Sequence, residues 1–199
     1  MLTIGLAGGS GSGKGEVGAI FQKFGFKVID TDKIYRKMTA PGGACLIPLA
    51  EEFGFGIILA DGSLNRKALA RIVFTGEGHT ERKRRLEQIT HRLILDETRK
   101  RIADYKSKGV CAGIIVDAPL LFESGFDKEC DKIIGVVADK AKRIERIVQR
   151  DKITEQRAEE RIAAQLSDEY VISRSDFVIT NDGAKEELEL QVTEIINKL

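Results

Sequence analysis

The sequence has no tryptophan, and only three prolines, three cysteines and two histidines occur among its 199 residues. Cys45, Cys111 and Cys130 are odd in number, widely spaced and outside any CxxC or Cys/His pattern, so neither a disulfide framework nor a zinc site is expected. His79 and His91 stand in no metal-ligand spacing, which leaves no protein-built metal cage to expect. Surplus charge is missing as well: 32 lysines and arginines meet 31 aspartates and glutamates, for a formal charge of +1. That balance marks no general binder of nucleic acid or of membrane surfaces, so anion recognition has to be local. No stretch approaches the roughly 20 apolar residues of a membrane span, and Met1-Leu2-Thr3-Ile4-Gly5 carries no basic lead; a cytoplasmic protein is expected. With no internal repeat, low-complexity tract or linker, the length predicts one folding unit with inserted pieces; a monomer or small homo-oligomer is expected.

What is present is an alternation of short and long periods. Nearly all-apolar β-type runs lie at Leu2 to Ala7, Lys27 to Asp30, Gly113 to Val116, Lys132 to Val137 and Phe177 to Ile179, as parallel strands buried on both faces read. Helical periods fall at Gly13 to Phe24, Asp32 to Met38, Arg66 to Phe74, Thr80 to Ser107, Lys140 to Arg150, Thr154 to Gln165 and Lys185 to Lys198. The sum predicts an α/β fold with a parallel five-stranded sheet in three layers. Its core is expected over 1–31, 108–141 and 168–199. The stretch 32–107 exceeds what one crossover helix needs and reads as an inserted helical substrate-binding region, with a turn at Pro41-Gly42-Gly43. The segment 142–167, dense in Arg, Lys, Glu and Gln, reads as a mobile, charged lid.

Gly8-Gly9-Ser10-Gly11-Ser12-Gly13-Lys14 follows a β-run and opens a helix, which is the setting of a phosphate-binding loop. The glycines let successive amides turn to one centre, the helix start adds partial positive charge, and the lysine reaches the β- and γ-phosphates of ATP. An ordinary Gly/Ser turn would leave that lysine unexplained. The next position normally carries the Ser or Thr that ligates Mg²⁺, yet here Gly15 and Glu16 stand. Three alternatives stay open: Mg²⁺ held by waters and a carboxylate such as Asp32, substitution by Ser12 or Glu16, or a weakened or lost activity.

The loop and the segments after it together resemble the dephospho-coenzyme A kinase family nearly end to end. They are Gly5 through Lys14, Val28-Ile29-Asp30-Thr31-Asp32, Val116 through Glu123, the pair Gln149-Arg150-Asp151 and Arg161 to Gln165, and Ser175 through Gly183. The departures are Gly15-Glu16 and Arg92, where the family usually has Pro after the histidine. The resemblance implies transfer of the γ-phosphate of ATP, with Mg²⁺, to the 3'-hydroxyl of dephospho-coenzyme A, with no nucleic-acid or membrane partner.

On that resemblance Lys14, Asp32 and Arg150 are the catalytic candidates. Asp32 is the implied base toward the acceptor hydroxyl, although a helix N-cap would also explain it, and Asp30 would orient the loop or the metal shell. The ATP-binding set is Gly8 through Glu16 with Arg150, Asn181 and Gly183. The substrate-binding set is Asp32, His91, Asp117, Pro119, Leu120, Leu121, Glu123, Arg161 and Gln165, with Mg²⁺ reached through Asp32 or Asp117. His91 fits an acceptor phosphate or a satisfied buried histidine equally. Arg143, Arg146 and Arg157 are nearby alternatives to Arg150, for which solvated helix faces paired with Glu145, Glu155 and Glu159 are the better reading, whereas Arg161 and Gln165, four apart, are expected on one working face. Two other classes fit less of the pattern: a kinase for another small alcohol, which the 117–123 block opposes, and a nucleotide-binding module without transfer, which Asp32, Asp117 and Arg150 oppose. A guanine-recognition Asn-Lys-x-Asp tetrad is absent.

Overall fold

A computed structural model describes residues 1–199. Five strands, β1 (Thr3–Ala7), β2 (Lys27–Asp30), β3 (Ile114–Asp117), β4 (Lys132–Val137) and β5 (Phe177–Thr180), form one sheet in the order β2-β3-β1-β4-β5. Every adjacent pair is parallel. The chain divides into two compact units: Met1–Asp30 with Asp104–Leu199, and Thr31–Ala103.

The first unit holds the sheet with α1 (Lys14–Lys23), α6 (Lys140–Asp151), α7 (Glu155–Ala163), α8 (Asp168–Ser173) and α9 (Lys185–Ile196). Successive strand residues alternate faces. On one face Ile4, Leu6, Ile134 and Val136 pack with Val17, Ile20 and Phe21 of α1 and Leu188, Val192 and Ile195 of α9, all buried. On the other, Gly5 and Gly135 leave the sheet bare: a Cβ on Gly5 would stand 2.8 Å from Leu121 and 3.0 Å from the Cys130 sulfur, and one on Gly135 would stand 2.6 Å from the Ser175 hydroxyl. The segment after β3 and the approach to β5 are thereby drawn tight against the strand ends that carry the site.

The second unit contains α2 (Thr31–Met38), α3 (Leu46–Phe53), α4 (Arg66–Phe74) and most of α5 (His79–Lys108). Its own core gathers Cys45, Leu46, Leu49, Ala50, Ile57, Leu64, Leu69 and Val73. Arg82 closes the α4 end: its guanidinium donates to the carbonyls of Ile72, Thr75 and Glu77 at 2.6, 2.7 and 2.8 Å, satisfying acceptors that a helix end leaves open.

Beyond shifts of one or two residues at helix ends, the structure differs from the sequence reading in two added helices and one that ends early. α3 was not foreseen, because Pro48 sits inside it, though in the first turn, where a missing N–H costs little. α8 was not foreseen because it has only six residues; Ser167 caps it by accepting from the Tyr170 amide at 3.2 Å. The helix expected over Thr154 to Gln165 stops at Ala163, with Thr154 as its cap.

Candidate active site

Residues 8–13 leave β1 and enter α1, and only glycine suits three of them, Gly8, Gly11 and Gly13, whose φ angles are 145, 78 and 96°. The outward carbonyls of this loop are each assigned a donor. The Lys14 ammonium donates to Gly8 O at 2.7 Å. Arg143 Nε donates to Ser10 O at 3.0 Å, Arg146 donates to Gly11 O at 3.1 Å, and the Asn181 amide donates to Ser12 O at 2.9 Å. With these carbonyls paired, and with positive φ at three glycines, the loop at the start of α1 has the composition of a backbone nest for anions.

One amide already has an occupant. The Ser10 N–H donates to the side-chain oxygen of Gln165 at 2.8 Å, and Gln165 Nε2 donates back to the Ser10 hydroxyl at 3.2 Å. Ser12 carries a buried hydroxyl with no hydrogen-bond partner.

Arg143 and Arg146 are the residues that sequence reasoning placed wrongly. Arg143 is 3% exposed, and its Nη1 donates to Asp168 at 2.8 Å. A Cβ on Gly9 would stand 2.1 Å from its guanidinium, so glycine is what lets α6 lie on the loop. Arg146 also donates to Asn181 O at 2.9 Å. Neither stands on a solvated face; the signal was that Arg143 and Ile147, four apart, share the buried face of α6.

Arg150 stays exposed, with its guanidinium bidentate on Asp151 at 2.8 and 2.9 Å. Arg161 donates to the same carboxylate. The Arg150 hydrogen bond first, then that of Arg161, lowers the Asp151 carboxyl to about 2. Arg161 and Gln165 therefore do not share a working face: α7 ends before Gln165, which turns to Ser10 while Arg161 turns to Asp151.

At the sheet edge, Asp30 and Asp117 are register partners at the carboxyl ends of β2 and β3, and Leu6, two residues before Gly8, pairs with Asp117 in turn. This is where ligands of open α/β sheets bind. A cavity of about 100 Å³ is lined by Gly8 and Gly9, by the segment Ala118 to Glu123, and by Gln165. Pro119, Leu120, Leu121 and Glu123 are thus brought to the loop. Phe122 fixes that segment against α8, its ring 5.6 Å from that of Tyr170, edge to face.

Asn181 is 4% exposed, and its side chain and carbonyl are spent on Ser12 and Arg146; it shapes the loop. Gly183 is exposed after β5, and the neighbouring Asp182 carboxylate accepts the Asp139 amide at 2.7 Å. In the second unit Asp32 is exposed and lies inside the first turn of α2, so it is not the cap of that helix. His91 is half-buried on α5.

Set beside known proteins, residues 2–187 match the family model described as dephospho-CoA kinase. The chain is 35% identical over 199 residues to a dephospho-CoA kinase of Corynebacterium glutamicum, spanning 100% of this chain and 98% of that one. It is 37% identical over 195 residues to that of Geobacter sulfurreducens, spanning 98% and 97%. The solved dephospho-CoA kinase from Campylobacter jejuni superposes with a TM-score of 0.71 at 26% identity, covering 98% of this chain and 96% of that one.

Proposed function

The chain belongs to the dephospho-CoA kinase family, and from that premise we propose how its side chains divide one phosphoryl transfer. It is an ATP-dependent kinase that makes CoA and ADP from dephospho-CoA and ATP. In our reading the amides of residues 8–13 and Lys14 hold the β- and γ-phosphates. The acceptor's 3'-oxygen attacks the γ-phosphorus in line; its O–P bond forms as the bridging P–O bond to the β-phosphate breaks, and ADP leaves. The hydroxyl proton passes to the carboxylate of Asp32. Arg150 faces the charge on the moving group once it exchanges Asp151 for phosphate, and 142–167 acts as a lid that excludes water. Arg143, Arg146 and Asn181 position the loop.

The cavity that joins Gly8 and Gly9 to Ala118–Glu123 and Gln165 carries this reading, because it brings the phosphate loop and the family-specific block into one space. The donor set suits Mg²⁺. No cluster of three or more His, Cys, Asp or Glu could cage a metal, and Mg²⁺ with nucleotides needs only one or two carboxylates beside phosphates and waters. Asp117, or Asp32, would hold it, and when bound it would neutralise charge on the β- and γ-oxygens. A cytoplasmic setting belongs to the same reading, supported by three free cysteines and by helices none of which is long and apolar enough to cross a membrane.

The test is coupled ADP release with ATP and Mg²⁺, comparing dephospho-CoA with adenosine, shikimate and gluconate. Turnover on dephospho-CoA alone is expected, and Asp32→Asn is expected to lower kcat by about 10²- to 10⁴-fold with ATP binding unchanged. An unchanged kcat would remove Asp32 from the chemistry.

A further inference from the structure

The second unit has a cavity that the phosphate loop does not account for. Its volume is about 590 Å³, and Asp32, Tyr35, Arg36, Thr39, Ser63 and Arg66 line it. Asp32 and Arg36 are four apart on α2 and so share a face. Arg66 is the first residue of α4, and a fixed partner holds it: its Nη2 donates at 2.9 Å to the hydroxyl of Thr39, which is 1% exposed. That hydroxyl in turn donates to the carbonyl of Tyr35 at 2.9 Å. Asp61, the acid on the loop that supplies Ser63, is spent on the Ser63 amide and hydroxyl at 2.9 and 2.6 Å. The wall therefore presents two guanidinium groups against one carboxylate.

A guanidinium anchored through one nitrogen keeps its other donors for a second acceptor, and its planar fork matches phosphate oxygens. We propose that Arg36 and Arg66 bind the 5'-diphosphate of the acceptor, and that this contact selects dephospho-CoA over nucleosides and simple alcohols. The proposal rests on Asp32 serving the acceptor's 3'-hydroxyl. Both groups hang from one ribose, so a cavity that presents a carboxylate beside two cations matches a hydroxyl beside a diphosphate. Thr39 is a positioning residue that aims Arg66. Tyr35 supports the match: burial raises its phenol above the ordinary range, so it adds no negative charge to repel phosphate.

Steady-state kinetics of the full chain with Arg36→Ala, Arg66→Ala and Arg66→Lys, varying each substrate in turn, tests this. Charge-assisted hydrogen bonds of this kind set an expected rise of about 10- to 100-fold in the KM for dephospho-CoA for each alanine variant. The KM for ATP is expected to stay within about twofold, with a smaller rise for lysine because the charge remains. Arg36→Ala and Arg66→Lys keep the test alive should Arg66→Ala fold poorly. An equal rise in the KM for ATP would assign the cations to the donor and overturn the proposal; so would acceptor KM values unchanged in all three. Asp32→Asn separates the two readings, since loss of kcat there with these arginine effects absent would sink the diphosphate site alone.

Discussion

The side-chain oxygen of Gln165 accepts the Ser10 N–H at 2.8 Å, inside the loop whose amides are built for phosphate. Gln165 also holds the Ser10 hydroxyl and lies 3.5 Å from Arg143 Nη2. If the loop amides take the phosphates of ATP, this amide oxygen competes with a phosphate oxygen for the Ser10 N–H. Gln165→Ala removes the competitor. A neutral hydrogen bond of about 1 kcal/mol net sets an expected ATP affinity about fivefold tighter, read by calorimetric titration without acceptor. Weaker binding would mean that Gln165 stays on Ser10 in the complex and supports the nucleotide.

Arg143 and Arg150 lie on the same helix and are expected to fail differently. Truncating Arg143 to alanine leaves Asp168 unpaired and frees the Ser10 carbonyl. Because Asp168 keeps 30% side-chain exposure, the expected loss is about 2 to 3 kcal/mol, below the cost of breaking a fully buried pair. ATP binding should weaken with it. Arg150, at 61% side-chain exposure, should cost under about 1 kcal/mol when truncated, yet lower kcat by about 10²-fold or more. Urea unfolding beside kcat measurements checks both; a destabilised Arg150→Ala with normal kcat would make it a structural residue.

How much of this could be read from the chain depended on where the determining contacts lie. β2 and β4 are legible to the residue because their short, mostly apolar runs are bounded by charged or polar residues, and the loop is legible because glycines, lysine and a following helix are local signals. Arg143 was not legible. In sequence it is one of many arginines in a charged helix, and only the closeness of Gly9 and the carboxylate of Asp168 turns it inward. Asn181 is in the implied ATP-binding set, but its bond to Ser12, which shapes the loop, spans 169 positions and leaves no local signal. The cavity of Asp32 and Arg66 joins residues from separate helices, which no period in the sequence connects.

Asp151 sets a pH window for the contact between α6 and α7. Its carboxyl sits near 2 in the folded chain, held down by Arg150 and then Arg161, against about 3.9 in an unfolded one. A depressed folded value contributes stability that is present above the unfolded value and lost as pH falls toward the folded one. The stability gap between the native chain and Asp151→Asn is therefore expected to be constant from neutral pH to about 5, at up to about 1 kcal/mol for pairs this exposed. It should close between about 4 and about 2. Urea unfolding of both proteins across that range decides; a gap that persists at the acid end would show that packing, not charge, is what the substitution removes.

Gly15 and Gly13 adjoin Lys14, and the structure assigns them opposite tolerance. A Cβ at Gly15 meets nothing within 4 Å, whereas one at Gly13 would stand 1.9 Å from the Asn181 amide at a φ of 96°. Gly13→Ala must therefore break the hydrogen bond that shapes the loop, and ATP binding should be lost with it. Gly15→Ser adds a hydroxyl in the first turn of α1 without a clash, at a stability change within about 1 kcal/mol. If the missing hydroxyl limits metal-assisted transfer, Gly15→Ser lowers the Mg²⁺ concentration needed for half-maximal rate and raises kcat. An unchanged Mg²⁺ profile would mean that carboxylates such as Asp117 already complete the metal's surroundings in the native chain, and that position 15 is free to be glycine.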